Sequence, residues 1–444
     1  MDKRRIIFVA FVTICLFVSQ GCRPRCKEGA SLPSEEGAGR YPGLSDKLEV
    51  DVYLDATRSM EGFIDAGVSS YYVQALQLLE RAAGKGWDKV GVKHYKFGDR
   101  IDEIKGRAYL EASRPGFYND PRYSKRTFIE NVIDRANPEN LTIIVTDLFQ
   151  NDSDVTLLTR KLKDKYLAQS YAVGILGIKS QFDGVVYDVG IKNYSFPYAS
   201  GVTEQARFRP FYALLLGKHA DIEHYYGNLR TSGLDEFPVK EFSIFSRYLG
   251  HPVASFEQGK ITSISKIAEV NGLLAPGIKD DRVKQFLIRD NTAKGSFTAV
   301  LKYRPLPYAI QYDVNAFEAE VTAWKCQPTQ LEENPAVRQA LNVRESRLSG
   351  EELSVEVEII PVNLPGVGIY RFKVVLRPKS YQIPGWVTDW DMRADLIEKW
   401  KQNPNSFNGA TTLNLKPFLS DLQGTIIQMH RPEVSELYCY VQKK

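Results

Sequence analysis

The chain has 444 residues, 43% hydrophobic and 25% charged, an ordinary globular composition in a protein too long for one typical domain core. Its formal net charge is +4. Lys3, Arg4 and Arg5 against Asp2 account for half of that, and the roughly +2 left in the rest of the chain gives no support for nucleic-acid binding. There is no P-loop, no G-x-G-x-x-G and no G-x-S-x-G elbow, so an enzyme is not expected.

Lys3-Arg4-Arg5 is followed by an apolar run, Ile6 to Val18, too short for an ordinary membrane span and suited to a secretory signal. The run ends in Val18-Ser19-Gln20-Gly21-Cys22, and a small residue just before a Cys resembles the bacterial lipobox. That resemblance implies a signal peptide over residues 1–21 and lipid on Cys22, which would tether the chain to a membrane. The alternative is a plain signal peptide that happens to contain a Cys. Arg23 is not the Asp that resembles an inner-membrane retention signal, so the outer membrane is the preferred address in a two-membrane bacterium. Residues 22–45, with Pro24, Gly29, Pro33, Gly37, Gly39, Pro42 and Gly43, read as a flexible tether. Past Cys22 the chain holds Cys26, Cys326 and Cys439, an odd number for an oxidising compartment. Cys326 and Cys439 both lie in β-type segments and are candidates to pair, two buried free thiols being the alternative.

Strand and helix patterns then alternate over residues 46–232. Val50, Val52 and Leu54 alternate with polar neighbours, and Ser69 to Ala83 turns helical, with Ser69 or Ser70 as cap and Gly84 as stop. Val90 to Phe97 is a strand, Thr127 to Arg135 a helix and Leu141 to Thr146 an apolar run suited to a strand covered on both faces. Val155 to Leu167 is helical, Ala172 to Ile178 a strand, and Phe211 to Leu216 with Ala220 to Leu229 give a last strand and helix. This order implies a doubly wound α/β domain with a mostly parallel sheet. Ligands bind such sheets beyond the carboxyl ends of the strands. Two segments emerge near that end: Arg107 to Lys125, and the aromatic-rich stretch from Ser180 to Pro210, read either as part of a recognition face or as a small hairpin packed on the domain's edge.

Asp55, Thr57 and Ser59 alternate where the first strand runs into a loop, Thr127 opens a later helix, and Asp147 ends the strand Leu141 to Thr146. These residues resemble the D-x-S-x-S, Thr and Asp pattern of the von Willebrand factor A (vWA) domain and its metal-ion-dependent adhesion site (MIDAS). Thr57 replaces a Ser and keeps the hydroxyl, while Leu148 stands where the family usually has Gly. The resemblance covers roughly residues 46–230. It implies a Rossmann-like fold, a divalent cation held by Asp55, Thr57, Ser59, Thr127 and Asp147, and a protein partner gripped through an acidic side chain at an open coordination position. The oxygen donors suit Mg²⁺, with Mn²⁺ or Ca²⁺ as substitutes. The plain alternative is that these side chains cap turns and helices, as Asp, Ser and Thr commonly do. His219, Glu223 and His224 lack the H-x-x-x-H spacing of a zinc site.

Residues 233–444 change character. Phe297 to Tyr303, Phe317 to Trp324, Leu353 to Ile360 and Ile369 to Arg377 read as strands of a β-rich, sandwich-like region. The last two, with acidic and basic outer faces, are expected to pair as a hairpin across Pro361 to Gly368. Trp386, Trp390 and Trp400 suit core packing better than a sugar-binding face. The functional expectation is a lipid-anchored envelope protein that binds a protein partner through a cation, or else a metal-independent assembly module of an envelope complex.

Overall fold

The computed structural model describes Cys26 and residues 43–444, apart from 66–69, 149–154, 188–193, 249, 252–255, 258–266, 271, 274–282, 292–293, 303, 314–315, 328–330, 351, 431–432 and 434. The expected signal peptide, Cys22, most of the tether and the candidate cap Ser69 lie outside the described residues.

The first half is a mixed α/β domain. Its strands are β1 (Lys47–Asp55), β2 (Lys89–Phe97), β3 (Ile101–Ile104), β4 (Leu141–Thr146), β5 (Ala172–Ser180), β6 (Asp183–Tyr187), β7 (Ser195–Ala199), β8 (Arg209–Gly217) and β9 (Lys240–Phe245). Seven form one sheet in the order β3-β2-β1-β4-β8-β5-β9. β2, β1 and β4 are mutually parallel, and β5 shares their direction through its antiparallel pairing with β8. β3, β8 and β9 run the other way.

Strand alternation sends side chains to opposite faces, and both faces are covered. Tyr53 and Ile144 pack with Ile129, Val132, Leu158 and Leu162 from helices Ile129–Arg135 and Thr156–Lys165. Val50, Val52, Leu54, Ile143 and Val145 pack with Ala75, Leu76, Leu79, Ile222 and Leu229 from helices Tyr71–Ala83 and His219–Thr231. The first of these last two helices begins where its sequence signals it. Ser70 Oγ accepts the Val73 amide and Gly84 closes the C-terminus.

The expected boundary at 232/233 falls inside this domain. Lys240 to Phe245 adds an edge strand to β5, because its alternate apolar side chains have the sheet's covered face to bury against.

Beyond β9, Gly295–Lys302, Leu341–Ser349 and Glu352–Ile359, with the short Phe256–Glu257, form a four-stranded sheet. A six-stranded sheet holds Ile267–Glu269, Val283–Ile288, Phe317–Cys326, Leu331–Glu333, Gly368–Pro378 and Ser435–Lys443. The expected hairpin between the Leu353 and Ile369 segments does not form. Glu352–Ile359 pairs with Gly295–Lys302 and Leu341–Ser349, whereas Gly368–Pro378 pairs with Phe317–Cys326 and Ser435–Lys443. The connection carries a 3₁₀ turn, Pro361–Asn363, and moves the chain from one sheet to the other. The complementary charges find other partners: Glu358 pairs with Arg344, and Lys373 with Glu436.

The two halves share a core. Trp390 lies against Gly177, where a Cβ would meet its ring at 2.6 Å, and close to Tyr212. Trp386, Trp390 and Trp400 are all buried, in agreement with the core-packing expectation.

The Cys326–Cys439 pairing is also corrected. Cys26 and Cys326 form the disulfide, with Cα atoms 5.4 Å apart, and Cys439 is a buried free thiol whose pKa burial pushes up. In the six-stranded sheet Cys326 stands opposite Ile369, and Cys439 opposite Phe372. The two cysteines thus lie at different levels of the strand Gly368–Pro378, and the Cys26 segment is laid over the Cys326 end.

Candidate functional site

β1 and β4 run parallel with Leu54 opposite Val145, so the register carries Asp55 and the Thr146-Asp147 pair to the same end of the sheet. The third segment, Thr127, is brought there by the loop before its helix. Asp99 Oδ2 accepts the Lys125 and Arg126 amides, and Ser124 O accepts the Arg58 amide. Gly98 permits the close approach, since a Cβ there would fall 2.0 Å from Tyr123 O. The Arg107 to Lys125 stretch is therefore a brace that positions Thr127.

All five expected residues converge. Thr57 Oγ1 donates to Asp55 Oδ1 at 2.6 Å, and the Thr57 amide donates to the same oxygen at 3.0 Å. Thr127 Oγ1 reaches Asp55 Oδ2 at 3.3 Å and Thr57 Oγ1 at 3.1 Å. Ser59 Oγ lies 3.2 Å from Thr57 Oγ1 and donates to Asp147 Oδ1 at 3.3 Å. The capping alternative accounts for one bond of this, the Asx turn that Asp55 Oδ1 closes on the Thr57 amide, and not for the contacts between segments. Thr57 is the N-cap of the 3₁₀ turn Arg58–Phe63 and makes no side-chain cap bond, its hydroxyl being turned to Asp55. The helix after Thr127 is also without a side-chain cap.

Two residues of the cluster escaped the sequence reading. Thr146 Oγ1 donates to Asp55 Oδ2 at 2.8 Å and accepts the Leu148 amide. A hydroxyl directly before the strand-end Asp was the available signal. Arg209 is the larger omission. Its Nη2 lies 3.2 Å from Asp147 Oδ2, with the two side chains 7% and 0% exposed. Its Nη1 donates to Gly409 O, the Phe182 ring lies 5.3 Å from its guanidinium carbon, and its Nε has no hydrogen-bond partner among the described residues. One cation opening the otherwise apolar run Phe211 to Leu216 was the sequence trace it left.

Leu148, just after Asp147, takes a left-handed backbone with φ +57° while its side chain is buried. The loop thus keeps a glycine-like conformation with a leucine in it. The aromatic stretch forms the β6–β7 hairpin, which packs over the Arg58–Phe63 turn, where a Cβ on Gly62 would meet the Phe182 ring at 2.6 Å. Phe196 of this hairpin stacks on Phe407 at 4.5 Å, and Tyr212 donates to Thr412, so the chain around 407–412 closes against the same end of the first domain.

The cluster is nearly sealed. Asp55 is fully buried, and the least covered of the five, Ser59, is 5% exposed beside the exposed Arg58. Burial pushes the Asp55 carboxyl up to about 7. The Asp147 charge adds to that rise, and the hydrogen bonds from Thr57 and Thr146 oppose it. Two buried carboxylates against one guanidinium leave net negative charge whenever Asp55 is ionised. The donor set is wholly oxygen, of the kind hard cations take. Among the described residues no cluster of three His, Cys, Asp or Glu side chains exists, so a cation here depends on the hydroxyls.

His219 and His224 go to different places. His219 is buried with Nδ1 2.7 Å from Ser246 Oγ, and His224 sits against Trp87 with Nε2 2.9 Å from Gly86 O. No protein-family model and no curated protein matches this chain.

Proposed function

We propose that the chain is a lipid-anchored bacterial envelope protein whose first domain, of vWA type, binds a protein partner through a divalent cation, with Mg²⁺ the best fit. The observation that carries this reading is the convergence of Asp55, Thr57, Ser59, Thr127 and Asp147 from three separate segments. Their donor set fits a hard cation. Hydroxyls that donate to the carboxylates can rotate and offer lone pairs to an ion. Asp55 and Asp147 would carry the charge, and Ser59, at the least covered side, marks the approach for a partner's carboxylate. The two carboxylates balance a dication, and Arg209 beside Asp147 leaves the occupied cluster at about +1, a surplus that suits that carboxylate. The test is binding of full-length protein to its captured envelope partner in Mg²⁺ and in EDTA, beside Asp55→Asn. Loss of binding in EDTA and in the variant is expected, and unchanged binding in both refutes the metal-mediated part.

A second reading has its own observation. Arg209 already neutralises Asp147 and ties it to Gly409, so the cluster also works as a metal-free clasp between the halves of the chain. On that reading the protein is a structural assembly module, and Asp55→Asn leaves complex formation intact.

A further inference from the structure

We infer that the loop 361–368 is a membrane-docking tip, held against the bilayer surface that carries the lipid on Cys22. This rests on the lipid-anchor reading above and adds to it which face of the protein meets the membrane.

The disulfide fixes the geometry. Cys26 is bonded to Cys326 at the end of the strand Phe317–Cys326, and its amide donates to Leu273 O at 2.9 Å. Cys26 is 1% exposed and packs with Leu273, Val283, Ile369, Tyr438 and Tyr440. The tether is thus stitched into the second half of the chain four residues after Cys22. Four residues span at most about 14 Å. Without the staple, the leash from Cys22 would run to β1, which starts at Lys47.

That same edge of the six-stranded sheet carries the most exposed apolar side chains. Cys326 pairs with Ile369, so the strand Gly368–Pro378 begins beside it, and the loop 361–368 leads in. Val367 is 73% exposed and Val362 is 70%, against 51% for Val202, the next large apolar side chain among the described residues. Pro365 between them is exposed as well. Paired Cα atoms about 5 Å apart and two further residues put Val367 within roughly 12 Å of Cys326. The tip is therefore within reach of any surface in which the Cys22 lipid is embedded.

The loop is held in shape from below. Lys443 Nζ donates to Pro361 O and Leu364 O, Tyr370 Oη donates to Gly366 O, and Asn363 Nδ2 donates to Gln339 O. Leu364 is buried while Val362, Pro365 and Val367 are exposed. Two exposed valines on a braced loop meet water at a cost, and a bilayer's interfacial region removes it. Charges near this edge are of both signs: Arg289, Lys294 and Lys444 are exposed, and so are Glu332 and Glu333. Apolar insertion, with no demand for anionic lipid, is the mode that fits.

The test uses the full lipidated chain in phosphatidylethanolamine–phosphatidylglycerol vesicles with doxyl quenchers near the headgroup. A fluorophore is placed on Val367→Cys, or on Val202→Cys as control. Cys439 is buried and Cys26 and Cys326 are joined, so the new thiol is the reactive one. The Val367 probe is expected to lose most of its emission and the Val202 probe little. The double change Cys26→Ser with Cys326→Ser, which lengthens the leash and leaves no second reactive thiol, is expected to lower the Val367 quenching several-fold. A mass measurement of the N-terminal peptide runs alongside. Lipid on Cys22 with an unquenched Val367 probe overturns this inference alone, and an unlipidated Cys22 overturns the anchor reading and this inference with it.

Discussion

Arg209→Met removes the guanidinium that faces Asp147 and keeps a side chain of similar reach. The pair is 3.2 Å apart with side chains 7% and 0% exposed, so solvent does little to replace the lost charge. Stripping one partner from a buried pair costs about 3–5 kcal/mol. The bond to Gly409 O adds about 1 kcal/mol. In EDTA the variant then leaves Asp147 beside Asp55 without the Arg209 charge. For a unit of roughly 200 residues, each kcal/mol shifts the melting temperature by about 2–4 °C, so a fall of about 10 °C is expected. A dication reverses the sign of the argument. Arg209 repels an ion seated between the carboxylates, and at an effective dielectric of about 20 that repulsion is on the order of a few kcal/mol. Calorimetric titration should therefore show Mg²⁺ binding at least tenfold tighter in Arg209→Met than in the parent chain, and Mg²⁺ should restore most of the lost melting temperature. Arg209→Lys, which keeps the charge, should do neither. Equal Mg²⁺ affinity in Arg209→Met and the parent, with the same thermal loss in Mg²⁺ and in EDTA, refutes the idea that ion and guanidinium compete for Asp147.

The remaining expectations concern the same cluster and the staple. The Asp55 carboxyl sits at about 7 in the folded chain, above its ordinary 3.8, so the folded state holds this proton more tightly than the unfolded one. In EDTA its contribution is fully present below pH 4 and is lost as pH rises through 7, while Mg²⁺ affinity falls about tenfold per unit below pH 7 as protons compete. Urea midpoints of the parent minus Asp55→Asn check this: the parent should lose ground from pH 5 to pH 8 in EDTA and regain it in Mg²⁺. Gly62→Ala drives a Cβ into the Phe182 ring and should cost about 1–3 kcal/mol, read as a lower urea midpoint. Cys326→Ser opens a loop with a sequence separation of 300 and should cost roughly 3–5 kcal/mol. Non-reducing peptide mapping of the parent should return Cys26 joined to Cys326 and an alkylatable Cys439 only after unfolding.

The sequence made the site legible where local pattern and strand ends coincide. Asp55 and Asp147 could be placed because each closes an apolar run, and parallel strands must point those ends the same way. Thr57 and Ser59 followed from their alternation after Asp55, and Thr127 only from the resemblance to the vWA pattern. Arg209 could not be placed that way. Its role depends on β8 lying next to β4, a non-consecutive neighbour that periodicity along the chain does not report. The hairpin expected across Pro361 to Gly368 failed for a related reason. Alternation told which residues of Leu353 to Ile359 and Tyr370 to Leu376 face inward, and strands on opposite sheets of one core show the same alternation as strands side by side. The disulfide was missed because Cys26 sits in a stretch with almost no apolar pattern, while its partner's surroundings, Ile369, Tyr438 and Tyr440, are what bury it.

The bond between Cys26 and Cys326 also sets an order of events. Its two sulfurs are made at opposite ends of a long interval of synthesis, with the whole first domain in between. If the chain crosses the membrane from its N-terminus, Cys26 arrives early and has no correct mate until the strand ending at Cys326 has been delivered. The first domain must then reach its shape while that thiol is still reduced, and oxidation comes late, as a latch. No cysteine lies between the two, so on that order a wrong mate for Cys26 would have to come from Cys22 or from another molecule.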